Sequence, residues 1–207
     1  MNEWFLCKQK ISKLTNVKIS FGYGKRQDSL KILKNKSVLL VCSKRMDHFL
    51  RNDSKFKEFF RDSEFIEIIH VDKYPEILEI EKVFTKLRNL DIDFDMLLAI
   101  GGGSVIDTAK LIKVFFSEKS NTIKSLIWKK NIKKYSKNSI PLIAIPSTAG
   151  TGSEVTPYAT VWDSQGNKKY SISEPFLIPE YAFIDPELLE KSPKNILITT
   201  GFDAINQ

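Results

Sequence analysis

Short runs of consecutive apolar residues alternate along this chain with longer stretches in which apolar positions recur every three or four residues. The runs "NVKISFG" (16–22), "SVLLVCS" (37–43), "EFIEIIHV" (64–71), "DMLLAIG" (95–101) and "IPLIAIP" (140–146) have the length and β-branched content of strands. Between them, "MDHFLRNDSKFKEFFRDS" (46–63) places Phe49, Phe56, Phe59 and Phe60 on one helical face. In "EILEIEKVFTKLRNL" (76–90), Ile77, Ile80, Val83, Phe84, Leu87 and Leu90 do the same, and a further helix is predicted from the triple glycine through "VIDTAKLIKVFF" (105–116). Strands that alternate with helices predict an α/β fold with a mainly parallel sheet and helices on its faces. After Pro146 the texture changes. "EVTPYATVWDSQGNKKYSIS" (154–173) predicts a hairpin turning at Gln165-Gly166-Asn167, and "PEYAFIDPELLEKSP" (179–193) a short strand and a short helix. "PKNILITTGFDAINQ" opens on Pro193 and reads as the first turns of a longer helix.

With 207 residues, 42% of them hydrophobic and 28% charged, the chain is long enough for a real core. No apolar run approaches the roughly 18 residues that span a bilayer. The opening "MNEWFLCKQK" lacks the charged, apolar and small-residue regions of a secretion signal, so a cytoplasmic protein is expected. Cys7 and Cys42 carry no C-x-x-C spacing, which argues against a disulfide framework or zinc ribbon. The net charge of +7 brings in two partner classes, nucleic acid and small anions. The one dense basic cluster, "WKKNIKKYSK" (128–137), is read as a solvated linker, so no nucleic-acid partner is expected.

The candidate chemistry lies in two loops. Gly101, Gly102, Gly103 and Ser104 stand between a strand and a helix, where glycines let a ligand approach the backbone and free N–H groups favour an anion. The spacing is not the G-x-G-x-x-G of a dinucleotide fingerprint, so alone it fits a tight turn as well. The second loop, "IPSTAGTGSEVT" (145–156), follows another buried-looking strand with a row of hydroxyls and glycines.

Together, "GGGSVIDTAK" (101–110) and "IPSTAGTGSEVT" resemble the iron-containing (group III) alcohol dehydrogenase family. The resemblance continues through "FIDPELL" (183–189) and "TTGFDA" (199–204) and begins at "ISFGYGK" (19–25). It implies a dehydroquinate synthase-like fold: a parallel-sheet nucleotide-binding α/β domain over residues 1–185, and the start of an all-helical metal-binding domain over 186–207. It implies that Gly101 to Ser104 hold a dinucleotide pyrophosphate, and that Ser147, Thr148, Thr151 and Ser153 wrap the phosphate and nicotinamide side. Thr156 and Lys169 fall where the family contacts the ribose and nicotinamide, while Asp107 and Lys110 are read as securing the helix. Many NAD-using relatives place a carboxylate after the second strand, where this chain has Ser43 followed by Lys44 and Arg45. A 2′-phosphate would be welcomed there, and NADPH is expected over NADH.

The family also holds Fe2+ or another divalent metal on one Asp and three His. The Asp maps to Asp203, and the His four residues on maps to Gln207; His48 and His70 match no ligand position. The resemblance implies an alcohol dehydrogenase or aldehyde reductase acting on a small-molecule alcohol or aldehyde. "ATVWD" (159–163) with "KKYS" (168–171) resembles the subgroup that reduces phosphonoacetaldehyde to 2-hydroxyethylphosphonate. The chain reads as a truncated form with an exposed apolar face, and a nucleotide-binding remnant without turnover is the alternative. Relatives pair through their N-terminal strands, which implies a homodimer.

Overall fold

The computed structural model describes residues 16–90, 92–118, 123 and 139–206. Six strands, β1 (Lys18–Phe21), β2 (Ser37–Cys42), β3 (Phe65–His70), β4 (Met96–Gly101), β5 (Leu142–Pro146) and β8 (Tyr181–Ile184), pair in the order β1-β8-β5-β4-β2-β3. Every pairing is parallel. The two remaining strands, β6 (Tyr158–Asp163) and β7 (Lys168–Ser173), form the antiparallel hairpin read from the sequence, its turn closed by the Gly166 N–H on Asp163 Oδ1 at 2.9 Å.

The continuous apolar character of β2, β4 and β5 follows from burial on both faces. Alternate residues of β2 enter two cores. Leu39 and Val41 join Phe84 of helix α4 (Ile77–Leu90), Ile112 of α5 (Gly103–Glu118) and Val161 of the hairpin. Val38, Leu40 and Cys42 join Leu33 of α1 (Leu30–Leu33), Leu50 of α2 (Lys44–Asn52), Phe56 of α3 (Ser54–Asp62) and Leu188 of α6 (Pro186–Glu190). Cys42 is a free, buried thiol whose pKa burial pushes up to about 12, so it is held as a small hydrophobe. Cys7 and the basic cluster at 128–137 lie outside the described residues.

One sequence expectation is corrected. The helix expected over 46–63 is two helices, broken at Asp53. Its backbone is extended, and its Oδ1 accepts the N–H groups of Lys55 (3.1 Å) and Phe56 (3.3 Å) as the cap of α3. Its other oxygen takes Arg26 at 2.8 Å, so the break serves a buried ion pair that the phenylalanine periodicity does not reveal.

The chain runs from β2 outward to β3, then returns across β2 to β4 and β5. The order reverses between β2 and β4, and a crevice beyond the carboxyl ends of these strands is where open α/β sheets bind ligands. The last helix, α7 (Lys194–Asn206), follows α6 and buries none of its side chains. Ile196, Leu197, Ile198, Phe202 and Ile205 are all exposed.

Candidate functional site

The strand ends beside the reversal carry three of the predicted segments. β4 runs straight into α5 through Gly101, Gly102 and Gly103, and the Ser147 N–H on Gly101 O (2.9 Å) ties this turn to the end of β5. Gly102 O accepts the first helical amides, those of Val105 (3.0 Å) and Ile106 (3.2 Å). The amides of Gly103 and Ser104 precede these bonds, at the positive end of the α5 dipole. The two threonines of the second loop close over this turn. A Cβ on Gly102 would stand 3.1 Å from Thr148 Oγ1, and one on Gly103 only 2.8 Å from Thr151 Cγ2. Glycine is needed there because the hydroxyl loop approaches the helix start so closely. Gly101 to Ser104, Ser147, Thr148 and Thr151 are thus brought together.

Ser153 faces inward. It is 4% exposed; its hydroxyl donates to Asp107 Oδ1 at 2.7 Å and accepts from Lys110 Nζ at 3.1 Å. The same ammonium reaches the carbonyls of Thr156 and Tyr158, each at 2.8 Å, and Asp107 Oδ2 accepts the Thr160 N–H at 3.1 Å. Asp107 and Lys110 therefore grip the hydroxyl loop and the start of the hairpin, beyond the helix packing expected of them. Burial raises the carboxyl pKa of Asp107, against the Ser153 hydrogen bond and the Lys110 charge, and burial lowers that of Lys110 to about 8. Lys169 lies on β7 with its ammonium 5.3 Å from the Trp162 ring centroid, and Trp162 in turn packs on Tyr74.

Ser43, directly after β2, caps α2 by accepting the Met46 N–H at 3.1 Å, which leaves its own O–H to donate outward. It borders a cavity of about 180 Å3 with Arg45, Phe49, Ser147, Thr148 and Lys191, so this cavity and the triple-glycine turn share Thr148. Arg45 Nη2 is anchored on Lys191 O at 3.2 Å, and among the described residues Arg45 makes no ion pair with a carboxylate. The Lys191 ammonium sits 4.9 Å from the Phe49 ring centroid and pairs with Glu187 at 2.5 Å. Lys44, grouped with Arg45 on sequence grounds, turns instead to Asp72 at 3.5 Å in an exposed pair. Lys191 and Ser192, whose hydroxyl donates to Ser147 O at 2.9 Å, were not singled out from sequence; the packing of α6 against α2 brings them in.

Asp203 is on α7, facing the hydroxyl loop. Gly150 has φ +97, and a Cβ there would stand 2.7 Å from Thr200 O and 2.9 Å from Asp203 Oδ2. No three His, Cys, Asp or Glu side chains converge among the described residues, and Gln207 lies outside them. His48 lies on α2 beside Asn52, and His70 ends β3 on Asp47 at 3.1 Å. No helix among the described residues is long and apolar enough to cross a membrane.

Comparison with known proteins bears on this geometry. Residues 16–186 match the family described as iron-containing alcohol dehydrogenase. An alcohol dehydrogenase of Thermococcus barophilus is 33% identical over 177 residues, 83% of this chain and 46% of that protein. An NADPH-dependent butanol dehydrogenase of Clostridium saccharobutylicum is 30% identical over 188 residues, 88% of this chain and 47% of that protein. The solved iron-containing alcohol dehydrogenase of Thermococcus thioreducens superposes with a TM-score of 0.76 at 30% identity, over 90% of this chain and 50% of that one. The chain spans about half the length of the relatives it matches.

Proposed function

The chain belongs to the iron-containing alcohol dehydrogenase family, and on that footing we propose that it is the cofactor-binding part of an NADPH-preferring alcohol dehydrogenase or aldehyde reductase. The observation that carries the reading is the closure of Thr148 and Thr151 over Gly102 and Gly103 at the start of α5. Amides of Gly103 and Ser104 and the two threonine hydroxyls supply donors from two sides, the environment that a pyrophosphate needs. Ser153, buried beneath them, shapes the loop, while Thr156, just before the hairpin, and Lys169, on β7, are assigned to the ribose and nicotinamide side by the family resemblance.

NADPH is favoured over NADH by the cavity beside Ser43. A hydroxyl and a guanidinium that pairs with no carboxylate among the described residues stand where an acidic residue would repel a 2′-phosphate. Arg45→Ala is expected to weaken NADPH about tenfold or more, the worth of a hydrogen bond to a charged group, and to leave NADH nearly unchanged. Calorimetric Kd values for both cofactors decide this, and equal affinities in the unsubstituted chain would remove the preference.

The family's divalent metal does not fit the described residues. Asp203 is the one matching ligand, a carboxylate alone holds such an ion poorly, and among the described residues no group of three His, Cys, Asp or Glu forms. The residues of this chain are therefore assigned to binding and orienting the cofactor, and no step is assigned to the metal. This same observation favours a second reading, nucleotide binding without turnover. NADPH oxidation with an aldehyde and added Fe2+ or Zn2+ separates the two, since measurable turnover excludes the second.

Phosphonoacetaldehyde is the narrower substrate we propose, on the resemblance carried by Ala159–Asp163 and Lys168–Ser171. Equal rates with butanal and phosphonoacetaldehyde, in a form of the enzyme that turns over, would sink it. We propose the division at residue 185 on the family resemblance alone; α7 buries no side chain, while Leu188 of α6 still packs in the core of the first domain. The family resemblance further implies a cytoplasmic homodimer joined at β1, an edge of the sheet; sedimentation showing only monomer would refute the pairing.

A further inference from the structure

Lys110 and Asp107 sit in the second turn of α5, directly behind the triple glycine, yet all of their polar contacts across the fold go to a different segment. Lys110 is fully buried, and its three ammonium donors are all spent: on Ser153 Oγ (3.1 Å), Thr156 O (2.8 Å) and Tyr158 O (2.8 Å). Asp107 takes the Ser153 hydroxyl (2.7 Å) and the Thr160 amide (3.1 Å). Two side chains of one helix thus hold residues 153 to 160 at four points. Upstream of the first of these points the loop turns at Gly152, φ +57, and Thr151 meets Gly103. An apolar residue at 110 would have filled the same space at lower cost, since burying an ammonium is expensive even when it is fully paired.

We propose that Asp107 and Lys110 are positioning residues for cofactor binding: they fix the hydroxyl loop at the height over the α5 N-terminus at which Thr151 and Thr148 converge with the Gly103 and Ser104 amides on the pyrophosphate. The proposal rests on the nucleotide reading given above. Neither residue touches the cofactor; each acts through Ser153 and the backbone of 156–160. The charged groups that bear on Lys110 are Asp107 and Lys113 of its own helix and Glu154 of the loop, and Lys169 of β7 bears on Asp107.

The pH dependence has an unusual sign. Burial lowers the Lys110 pKa from 10.5 to about 8. Between these values the unfolded chain holds a proton that the folded chain has released, so this group makes the fold more stable as pH rises through the window. Over the same rise the amine loses one of its three donors, and the grip on the loop loosens. Cofactor affinity should therefore fall while the contribution of Lys110 to stability grows, a split that a purely structural lysine would not produce.

The test measures NADPH and adenosine 2′,5′-bisphosphate binding to the 207-residue chain and its Lys110→Met variant by calorimetry, with melts run alongside. The bisphosphate probes the Ser43 and Arg45 cavity and has no pyrophosphate. Lys110→Met is expected to weaken NADPH about tenfold or more, as for loss of a hydrogen bond to a charged group. The bisphosphate should weaken clearly less than NADPH, because it lacks the pyrophosphate and its cavity shares only Thr148 with the glycine turn. Parallel weakening of both ligands, or unchanged NADPH affinity in a folded variant, would overturn the proposal. If the variant does not fold, the unsubstituted chain decides: NADPH affinity should drop from about pH 7 to about pH 9.5, and a flat profile would overturn the proposal. An unsubstituted chain that binds neither ligand ends the nucleotide reading, and this one with it. If it binds the bisphosphate while the variant loses only NADPH, both stand.

Discussion

Replacing Asp185 by Ala should lower the stability of this domain by about 3 kcal/mol, because it strands part of a buried guanidinium. The side chains of Arg26 and Asp185 are 4% and 0% exposed, and Asp185 Oδ2 accepts both Arg26 Nη1 (2.8 Å) and the Arg26 amide (3.2 Å). Its second oxygen caps α6 through the Glu187 N–H at 3.2 Å. Asp53 and Glu187 also hold the guanidinium, at 2.8 and 2.6 Å, while Arg26 Nε has no hydrogen-bond partner among the described residues. Burial works against the charge, and the hydrogen bonds of Glu187, Asp53 and Asp185 more than restore it, so the pKa of Arg26 is raised. Removing Asp185 withdraws the most deeply buried partner and a helix cap together. For a chain of this size the loss corresponds to a Tm drop of roughly 6–12 °C. A thermal melt tests it, and a drop of under about 2 °C would mean that the remaining two carboxylates suffice. The double variant Arg26→Met, Asp185→Leu should not recover the loss, because without Arg26 the buried Asp53 carboxylate loses its ion-pair partner. The effect should reach the site: Glu187 pairs with Lys191, whose carbonyl anchors Arg45, so NADPH affinity should fall in the single variant.

Gly150→Ala should cost roughly 2–4 kcal/mol, from left-handed backbone strain together with overpacking. At φ +97 the added methyl group is unfavourable in its own right, and it would stand 2.7 Å from the Thr200 carbonyl. A backbone atom of a helix cannot swing aside as a long side chain would. Either the hydroxyl loop lifts from the triple glycine or α7 moves away and takes Asp203 with it. The two responses are separable. Lifting the loop weakens NADPH; displacing α7 preserves NADPH binding and makes α7 easier to cleave by protease. Unchanged stability and unchanged cofactor affinity together would show that the contact between Gly150 and α7 is not maintained in solution.

The strands and most helices were legible because each obeys a local rule. Buried parallel strands read as continuous apolar runs, and α4 and α5 read by their periodicity. The break at Asp53 was not legible, because the residue that ends one phenylalanine-rich helix and caps the next does so partly for Arg26, twenty-seven positions away. The glycine and hydroxyl loops read as a candidate phosphate site by composition, but composition does not say which hydroxyls face the cavity. Ser147 and Thr148 line the cavity beside Ser43 and Thr151 meets Gly103, while Ser153 turns inward to Asp107 and Lys110, although all four are the same kind of donor.

By itself, then, the sequence determined the alternation of strands and helices, the placement of glycine where backbone must approach backbone, and the kinship of its two loops, since all of these depend on residues close in the chain. The tertiary structure alone decided that Lys191 and Ser192 wall the cavity beside Ser43, that Lys44 turns away from it, and that a buried lysine behind the glycine turn grips the loop in front of it. Each of these is a contact between segments 40 or more residues apart or a choice between two faces of one element, and only the packing of the sheet brings such pairs together.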